Sequence, residues 1–187
     1  MAMATDNPQN PNIVLIMSDQ HNAGVMGCAG NPIVRTPNLD ALAEQGTRFT
    51  NTYCPYPLCA PSRMGFMAAH YPSDIGVFDN GGILSSHTPT FAHGLGAAGY
   101  EAVLCGRMHF GGPDQFHGFE RRIHADCGGR TLSPEILGSG YNRTNGQTKY
   151  AVEVSGYGQT GYQRFDRSVT DTACNYISHW NGQGRPC

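Results

Sequence analysis

The sequence predicts an α/β fold in which a mostly parallel sheet is flanked by helices. Residues 13–17 form a short, continuous apolar run rich in β-branched side chains, which is typical of a strand buried on both faces. Residues 36–46 and 88–99 carry helix patterns, and residues 101–105 have the composition of another strand. Strands that alternate with helices are typical of parallel sheets, whose functional residues gather at the carboxyl ends of the strands.

The first predicted helix has recognisable ends. Thr36 suits the N-cap, Pro37 suits the first helical position, and Gly46 suits the C-terminal cap. Apolar side chains recur between these ends at helical spacing. Residues 48–53, which are rich in threonine and aromatic side chains, predict a strand after this helix.

Two more helices are predicted from similar patterns. Thr88 and Pro89 begin one of them, and Gly99 ends it. Residues 168–171 form a capping box, so we expect the last helix to begin at Ser168. The side chains that this helix should bury are Val169, Ala173, Tyr176, Ile177 and Trp180.

The chain has 187 residues, which is long enough for one domain with its own core. We expect residues 1–11 to be a flexible start. Residues 127–161 sustain no hydrophobic period and are rich in glycine. They form either an excursion towards a substrate or a surface loop, and the sequence leaves both alternatives open.

Composition excludes several classes of function. Lysine and arginine number only 12 and the net charge is −2, so no basic stripe indicates a nucleic-acid partner. No apolar run is long enough to span a bilayer, and the chain does not start like a signal peptide, so we expect a cytoplasmic protein without a membrane partner. The seven cysteines include no C-x-x-C pair, which argues against a zinc ribbon or a thioredoxin-like site.

The heptapeptide PLCAPSR, residues 57–63, places a cysteine at a predicted helix start. Because Pro61 suits the first turn, Cys59 should lie at the helix N-terminus, where free N–H groups and the helix dipole favour an anion. Arg63 in the same turn can add charge-assisted hydrogen bonds. From spacing alone, the simpler interpretation is a buried cysteine before a capped helix, with Arg63 exposed to solvent.

The segment Cys59-Ala60-Pro61-Ser62-Arg63 resembles the C-x-P-S-R signature of type I sulfatases, in the alkaline phosphatase superfamily. PNIVLIMSDQH at residues 11–21, TPNLDALAEQGTRFTNTYC at 36–54 and GRMHFGG at 106–112 are similar to other motifs of that family, in the same order. Residues 78–122 are most similar to the choline sulfatase and phosphonate monoester hydrolase branch. The resemblance implies an alkaline phosphatase-like fold that is incomplete in this chain.

The resemblance also implies a nucleophile. In that family the signature cysteine is oxidised to formylglycine by a formylglycine-generating or anaerobic maturation enzyme. One oxygen of the aldehyde hydrate attacks the sulfate ester, and the other expels sulfate when the hydrate collapses to the aldehyde. Applied here, Cys59 becomes formylglycine. Arg63 belongs to the maturation signal, and we expect it also to steady the modified side chain.

The remaining expected site residues come from the same resemblance. Asp19, Gln20 and the modified Cys59 would hold one divalent cation, Ca²⁺ ahead of Mg²⁺ or Mn²⁺, because their donors are oxygens. Without the resemblance, the simpler interpretation is that Asp19 and Gln20 form the polar end of a strand. Arg107 replaces the lysine of the family and would bind sulfate with Asn80 and His109. His109 would also exchange protons with the nucleophile.

The function implied is hydrolysis of a small anionic sulfate ester. One alternative is a phosphonate monoester or phosphodiester hydrolase with the same site, and another is a non-catalytic chain that keeps the fold. Family members take further metal and substrate ligands from beyond the matched region. We therefore expect an N-terminal part that is active only with the remaining part of the same enzyme. A homo-oligomer stays an open alternative.

Overall fold

The computed structural model describes residues 10–126, 157–180 and 184–187. In this part of the chain, two short strands, three short helices and one long helix are joined by long connections. None of the described helices has both the length and the apolar character needed to cross a bilayer. The helices and strands are, in chain order, α1 (Pro37–Gln45), α2 (Cys59–Ala68), α3 (Phe91–Ala97), β1 (Val103–Cys105), β2 (Arg121–His124) and α4 (Gly161–His179), with a 3₁₀ turn at Gly27–Ala29 before them.

β1 and β2 form a parallel pair, which confirms the predicted kind of sheet. Val103 pairs with Arg121 and Cys105 with His124, with a register irregularity between Leu104 and Cys105. Parallel pairing brings the carboxyl ends of both strands to the same edge. The loops that follow β1 and β2 therefore lie side by side, and they carry Arg107, His109 and Asp126.

The core lies between α2, α3 and β1. Met64 and Met67 are one turn apart on α2, so they share a face, and both are buried. Three phenylalanines join α2, α3 and the segment before β2. The ring centroids of Phe66 and Phe91 are 5.6 Å apart, and those of Phe91 and Phe119 are 6.1 Å apart. The other buried members of the core are Val77, Leu84, Ala92, Ala102, Leu104, Met108 and Phe110.

The strand predicted at residues 13–17 is wrong for this structure. The segment has no helix or strand, and its side chains are exposed, Ile16 to 85%. Among the described residues, its backbone pairs with the chain only where Ile13 N–H donates to the Cys187 carbonyl at 2.7 Å. A strand buried on both faces needs neighbouring strands and covering helices. The described residues do not supply these neighbours.

The strand predicted at residues 48–53 is also wrong. These residues adopt no regular structure, and Phe49 and Tyr53 are 78% and 86% exposed. Aromatic and threonine side chains favour a strand only when a partner strand and a packing surface exist. The described part of the chain has neither beside this segment.

Both ends of α1 were predicted correctly, but the residues beside them act differently. Thr36 does not cap the helix. Its Oγ1 accepts from Gly27 N–H at 2.8 Å and donates to Asp40 Oδ1 at 2.9 Å, which ties the 3₁₀ turn to α1. Gly46 has a φ of −120°, so it ends the helix in an extended conformation instead of a left-handed cap.

The other two helix starts were predicted wrongly. α3 begins at Phe91 and not near Thr88, because the Thr90 N–H donates to His93 Nδ1 at 3.2 Å. α4 begins seven residues before Ser168, because Thr160 and Gln163 form a reciprocal capping box. Of the side chains expected to be buried there, Ile177 is 56% exposed and the other four are half-buried. Most of the predicted excursion at 127–161 lies outside the described residues.

Candidate active site

Cys59 is the first residue of α2, as the sequence predicted. It is half-buried, and Leu58 precedes it in extended conformation as the N-cap. Leu58 has no side-chain oxygen with which to cap the helix. Instead, Asn80 Oδ1 accepts the N–H of Ala60, the second residue of α2, at 3.0 Å. An asparagine from a distant loop thus satisfies one of the free donors of the helix start.

Asp19 lies beside Cys59 although the two are forty residues apart. Its Oδ1 is 3.9 Å from Cys59 Sγ. Its Oδ2 forms ion pairs with Arg63 Nη2 at 3.2 Å and with Arg107 Nη1 at 3.6 Å. The Asp19 side chain is 34% exposed, so one carboxylate meets a potential nucleophile and two cations at the surface of the molecule.

Arg63 is buried, which overturns the interpretation that left it in solvent. Only 6% of the residue is exposed. It lies four residues after Cys59 and therefore on the same face of α2. Its Nη1 donates to the carbonyl oxygen of Arg107 at 2.6 Å, so Arg63 links α2 to the loop after β1 as well as to Asp19.

Arg107 and His109 lie in the loop that follows β1. Arg107 Nη2 is 3.3 Å from His109 Nδ1. His109 has a φ of +63°, a left-handed conformation that costs a residue other than glycine about 1–3 kcal/mol. Burial, and then the charge of Arg107, lower the pKa of His109, while Asp126 acts against this shift. This shift favours the neutral imidazole, which is able to accept a proton.

Asp126 is a charged member of this cluster that the sequence analysis missed. It follows β2 by two residues and has a side chain that is 14% exposed. Its Oδ2 accepts the N–H groups of Met108 at 3.1 Å and His109 at 2.5 Å. Asp126 could have been predicted as a polar residue just past the carboxyl end of a parallel strand. It was missed because residues 121–124 were not recognised as a strand.

The cluster carries a positive excess. Arg63 and Arg107 face Asp19, and Arg107 and Arg122 face Asp126. Three arginines against two aspartates leave one positive charge over. Together with the N-terminus of α2, this charge suits a small anion near Cys59.

Gln20 is the predicted site residue that the structure leaves apart. It is exposed, has a φ of +55°, and its side chain makes no hydrogen bond with the described residues. Among those residues, no group of three or more His, Cys, Asp or Glu side chains could hold a metal ion. The oxygens of Asp19 and Gln20 fit a hard cation in chemistry, but they form only part of the six or more donors that Ca²⁺ takes.

The sulfatase family model matches residues 11–186, almost the whole chain. This chain belongs to the sulfatase family. The choline-sulfatase of Rhizobium meliloti is 48% identical over 116 residues, which cover 62% of this chain and 23% of that protein. Human steryl-sulfatase is 41% identical over 112 residues, which cover 54% of this chain and 19% of that protein. The chain thus spans about a fifth to a quarter of the length of these relatives.

Two solved structures show the same architecture. A sulfatase from Pseudoalteromonas sp. has a TM-score of 0.66 at 19% identity, over 96% of this chain and 42% of that one. The phosphonate monoester hydrolase of Agrobacterium radiobacter has a TM-score of 0.65 at 19% identity, over 92% of this chain and 39% of that one. These similarities confirm the alkaline phosphatase-like α/β fold, of which this chain covers a part.

Proposed function

We propose that the complete protein hydrolyses sulfate monoesters with a formylglycine derived from Cys59. The observation that carries the proposal is the position of Cys59 at the start of α2, 3.9 Å from Asp19, whose carboxylate also faces Arg63 and Arg107. Membership of the sulfatase family supports the same reaction. The similarity to a choline-sulfatase makes choline sulfate the first substrate to test.

The cations of the cluster bind and orient the ester. A sulfate monoester carries a single negative charge, which the N-terminus of α2 and the excess arginine charge offset. Arg107 presents several N–H donors to sulfate oxygens. The Asn80 amide has its oxygen engaged by the Ala60 N–H, so its NH₂ group remains as the donor for sulfate.

His109 acts as a general base in the proposed reaction. The hydrate of formylglycine has two hydroxyl groups on one carbon. A hydroxyl that attacks sulfur must lose its proton, and the neutral imidazole of His109 can take it. As that oxygen bonds to sulfur, the S–O bond to the alcohol breaks, and the alcohol leaves with a proton taken from water. A base from the remaining part of the enzyme then takes the proton of the second hydroxyl, the carbonyl forms again, and the C–O bond to sulfate breaks, so sulfate leaves without hydrolysis of an enzyme ester.

Asp19 and Gln20 would hold a divalent cation beside this centre. Ca²⁺ is the first expectation, with Mg²⁺ or Mn²⁺ as alternatives, since both side chains offer oxygens. Such an ion supplies positive charge that stabilises the developing negative charge on the sulfate and nucleophile oxygens. We also keep the expectations of a cytoplasmic location and of maturation by a separate enzyme as parts of this proposal.

The mass of the Cys59 peptide from the full-length native protein tests the proposal first. Conversion of the thiol to an aldehyde removes sulfur and two hydrogens and adds oxygen, so the peptide becomes lighter by about 18 Da. The parent should carry this change and turn over choline sulfate or nitrophenyl sulfate, whereas Cys59→Ala should be inactive. An unmodified peptide in an inactive native protein would contradict the proposal and favour a non-catalytic chain.

Turnover of two kinds of ester by the same full-length protein distinguishes sulfate ester hydrolysis from phosphonate ester hydrolysis. The arginines and the helix N-terminus recognise a tetrahedral anion and do not by themselves distinguish sulfur from phosphorus. Paired nitrophenyl sulfate and nitrophenyl phosphonate esters should therefore be compared by kcat/KM. We expect the sulfate to be preferred, and a preference for the phosphonate would move the assignment to phosphonate ester hydrolysis.

A further inference from the structure

Asp126 occupies the junction between the two loops that follow β1 and β2. One of its oxygens, Oδ2, accepts two consecutive backbone N–H groups, those of Met108 and His109, at 3.1 and 2.5 Å. Two hydrogen bonds to one oxygen fix both the place and the direction of that backbone. The carboxylate therefore holds the short segment in which His109 has its left-handed conformation.

The same carboxylate also faces two guanidinium groups. Its Oδ1 is 3.8 Å from Arg107 Nε, and its Oδ2 is 3.7 Å from Arg122 Nη2. Arg122 is anchored in turn, because its Nη1 donates to Gln115 Oε1 at 3.1 Å. Asp126 is thus supported from β2 while it attracts Arg107 at a different nitrogen from the one that faces Asp19.

The position of Arg107 depends on this second attraction. Asp19 Oδ2 draws Arg107 Nη1 at 3.6 Å, and Asp126 draws its Nε at 3.8 Å. With Asp126 neutral, the guanidinium would lose the attraction of this carboxylate and would move towards Asp19. With Asp126 absent, the segment that carries His109 would also lose its two N–H acceptors.

We propose that Asp126 is a positioning residue that places Arg107 and His109 for the reaction at residue 59. Asp126 does not reach the reacting atoms; it acts through the side chain of Arg107 and the backbone of His109. Its importance to turnover rests on the proposed function, but its control of the two residues is a property of the fold and can be measured separately.

Two substitutions in the full-length protein separate the two contributions. Asp126→Asn keeps one carbonyl oxygen for the Met108 and His109 N–H groups but removes the charge that attracts Arg107. Asp126→Ala removes both. Since misplacement of catalytic groups by about 1 Å can lower turnover 100-fold, we expect kcat/KM to fall about 10-fold in Asp126→Asn and about 100-fold in Asp126→Ala.

Asp114→Asn is the matched control. Asp114 Oδ1 also accepts two consecutive backbone N–H groups, those of Phe116 and His117, each at 3.0 Å. Asp114 has no ion pair with an arginine among the described residues. The same chemical change should therefore leave kcat/KM within about threefold of the parent while it lowers the melting temperature.

A double-mutant cycle provides a readout that a general loss of stability would not move. If Asp126 acts through Arg107, then Asp126→Asn should lower kcat/KM by less than about twofold in an Arg107→Ala background. The formylglycine content of each variant, measured by peptide mass, should equal that of the parent. Crystal structures should show Arg107 displaced in Asp126→Asn, and both Arg107 and His109 displaced in Asp126→Ala.

Three results would overturn the proposal. They are unchanged positions of Arg107 and His109 in both variants, a full loss from Asp126→Asn in the Arg107→Ala background, and a loss that only follows a lower formylglycine content. A parent without formylglycine or turnover, in which Asp126→Asn still displaces Arg107, would contradict the proposed function and support the positioning role. If Asp126→Ala does not fold, the isosteric Asp126→Asn still decides the question.

Discussion

His109 and His117 lie in two loops that are built in the same way. Each has a positive φ, of +63° and +42° respectively. In each loop an aspartate oxygen accepts the N–H of the histidine and of the residue before it: Asp126 serves His109, and Asp114 serves His117. Burial lowers the pKa of both imidazoles.

The two loops differ in what surrounds the ring. His109 is half-buried, and its Nδ1 is 3.3 Å from Arg107 in the charged cluster near Cys59. His117 is 1% exposed, its ring centroid is 4.6 Å from that of Phe110, and neither ring nitrogen forms a hydrogen bond with the described residues. Backbone geometry and a lowered pKa therefore do not identify a functional histidine. What distinguishes His109 from His117 is the set of charged side chains around its ring, Arg107, Arg63, Asp19 and Asp126.

Replacing each histidine by alanine gives the largest expected contrast. His109→Ala should lower kcat/KM for a sulfate ester by about 1,000-fold, the usual size of a general acid–base contribution, with little change in melting temperature. His117→Ala should retain most of its activity but unfold more easily, because it leaves a cavity in a buried site.

Steady-state kinetics and thermal unfolding of the two full-length variants test this contrast. Peptide mass serves as the control, since both proteins should carry the same fraction of formylglycine at residue 59. Equal losses of activity in the two variants would break the distinction between the loops.

Arg107→Gln should have the next largest effect, and it should also change the pH dependence. Loss of one cation from the sulfate site should lower kcat/KM by about 100-fold. The charge of Arg107 lowers the pKa of His109, so its removal should raise that pKa. If neutral His109 is the active form, activity rises as the pH increases through this pKa, and the rising limb should move to higher pH in the variant.

The measurement is the kcat/KM profile of the parent and of Arg107→Gln from about pH 5 to pH 8. Arg121→Gln is the matched control. Arg121 is the first residue of β2, pairs with Glu101 and is half exposed, so this substitution should change neither kcat/KM nor the pH of the rising limb. A limb that stays in place in Arg107→Gln would show that His109 is not the group that titrates.

Alanine substitution of one glycine in each loop should lower the free energy of unfolding by different amounts. Gly118 has a φ of +97°, and a Cβ added there would lie 2.6 Å from the backbone nitrogen of His93. Gly106 has a φ of +91°, but the atoms nearest to its Cβ would be those of the Val169 side chain, the first at 3.0 Å. We expect Gly118→Ala to lower the free energy of unfolding by about 3 kcal/mol and Gly106→Ala by about 1 kcal/mol, since a side chain can move and a backbone cannot.

Urea unfolding of the full-length variants measures both values. Because the loop after Gly106 carries Arg107 and His109, Gly106→Ala should also lower kcat/KM more than Gly118→Ala does. The reverse order of stabilities would mean that the backbone of His93 moves as easily as the Val169 side chain.

The sequence predicted the local parts of this structure better than the distant ones. The position of Cys59 follows from Pro61 and from the apolar face of α2, which lie within one helix. The start of α4 depends on Thr160 and Gln163, a capping box that spacing alone could have found but that was placed at Ser168 instead. Residues 13–17 were expected to be a buried strand because their composition demands covering layers, which the described residues do not provide.

Resemblance and structure contributed different members of the site. Asp19, Arg107 and His109 were predicted only because their motifs resemble those of sulfatases, and the structure brings them together with Cys59 and Arg63. Asp126 has no sequence motif of its own. Its role depends on the pairing of β1 with β2, which places residue 126 beside residues 107–109. Such long-range register is what single-sequence reasoning does not supply.

The smallest expected effect concerns His117 and the pH dependence of stability. Burial lowers its pKa in the folded protein, although the nearby Asp114 carboxylate acts in the opposite direction and the neighbouring His93 acts in the same one. In the unfolded chain the pKa returns to about 6.5. Below that pH the unfolded state binds a proton that the folded state does not, so the protein should lose stability as the pH falls.

Melting temperatures of the full-length parent and of His117→Gln, measured at about pH 7.5 and 5.5, test this expectation. The parent should lose more than the variant does between the two values, by on the order of 1–2 °C. His109 titrates in the same direction, so the variant should keep part of the slope, and adding His109→Gln should remove more of it. If His117→Gln and the parent have the same slope, then His117 takes up its proton as readily in the folded protein as in the unfolded one, because the Asp114 carboxylate 3.4 Å away offsets burial. In that case the loop of His117 would hold an ion pair, and the loops of His117 and His109 would differ in packing alone.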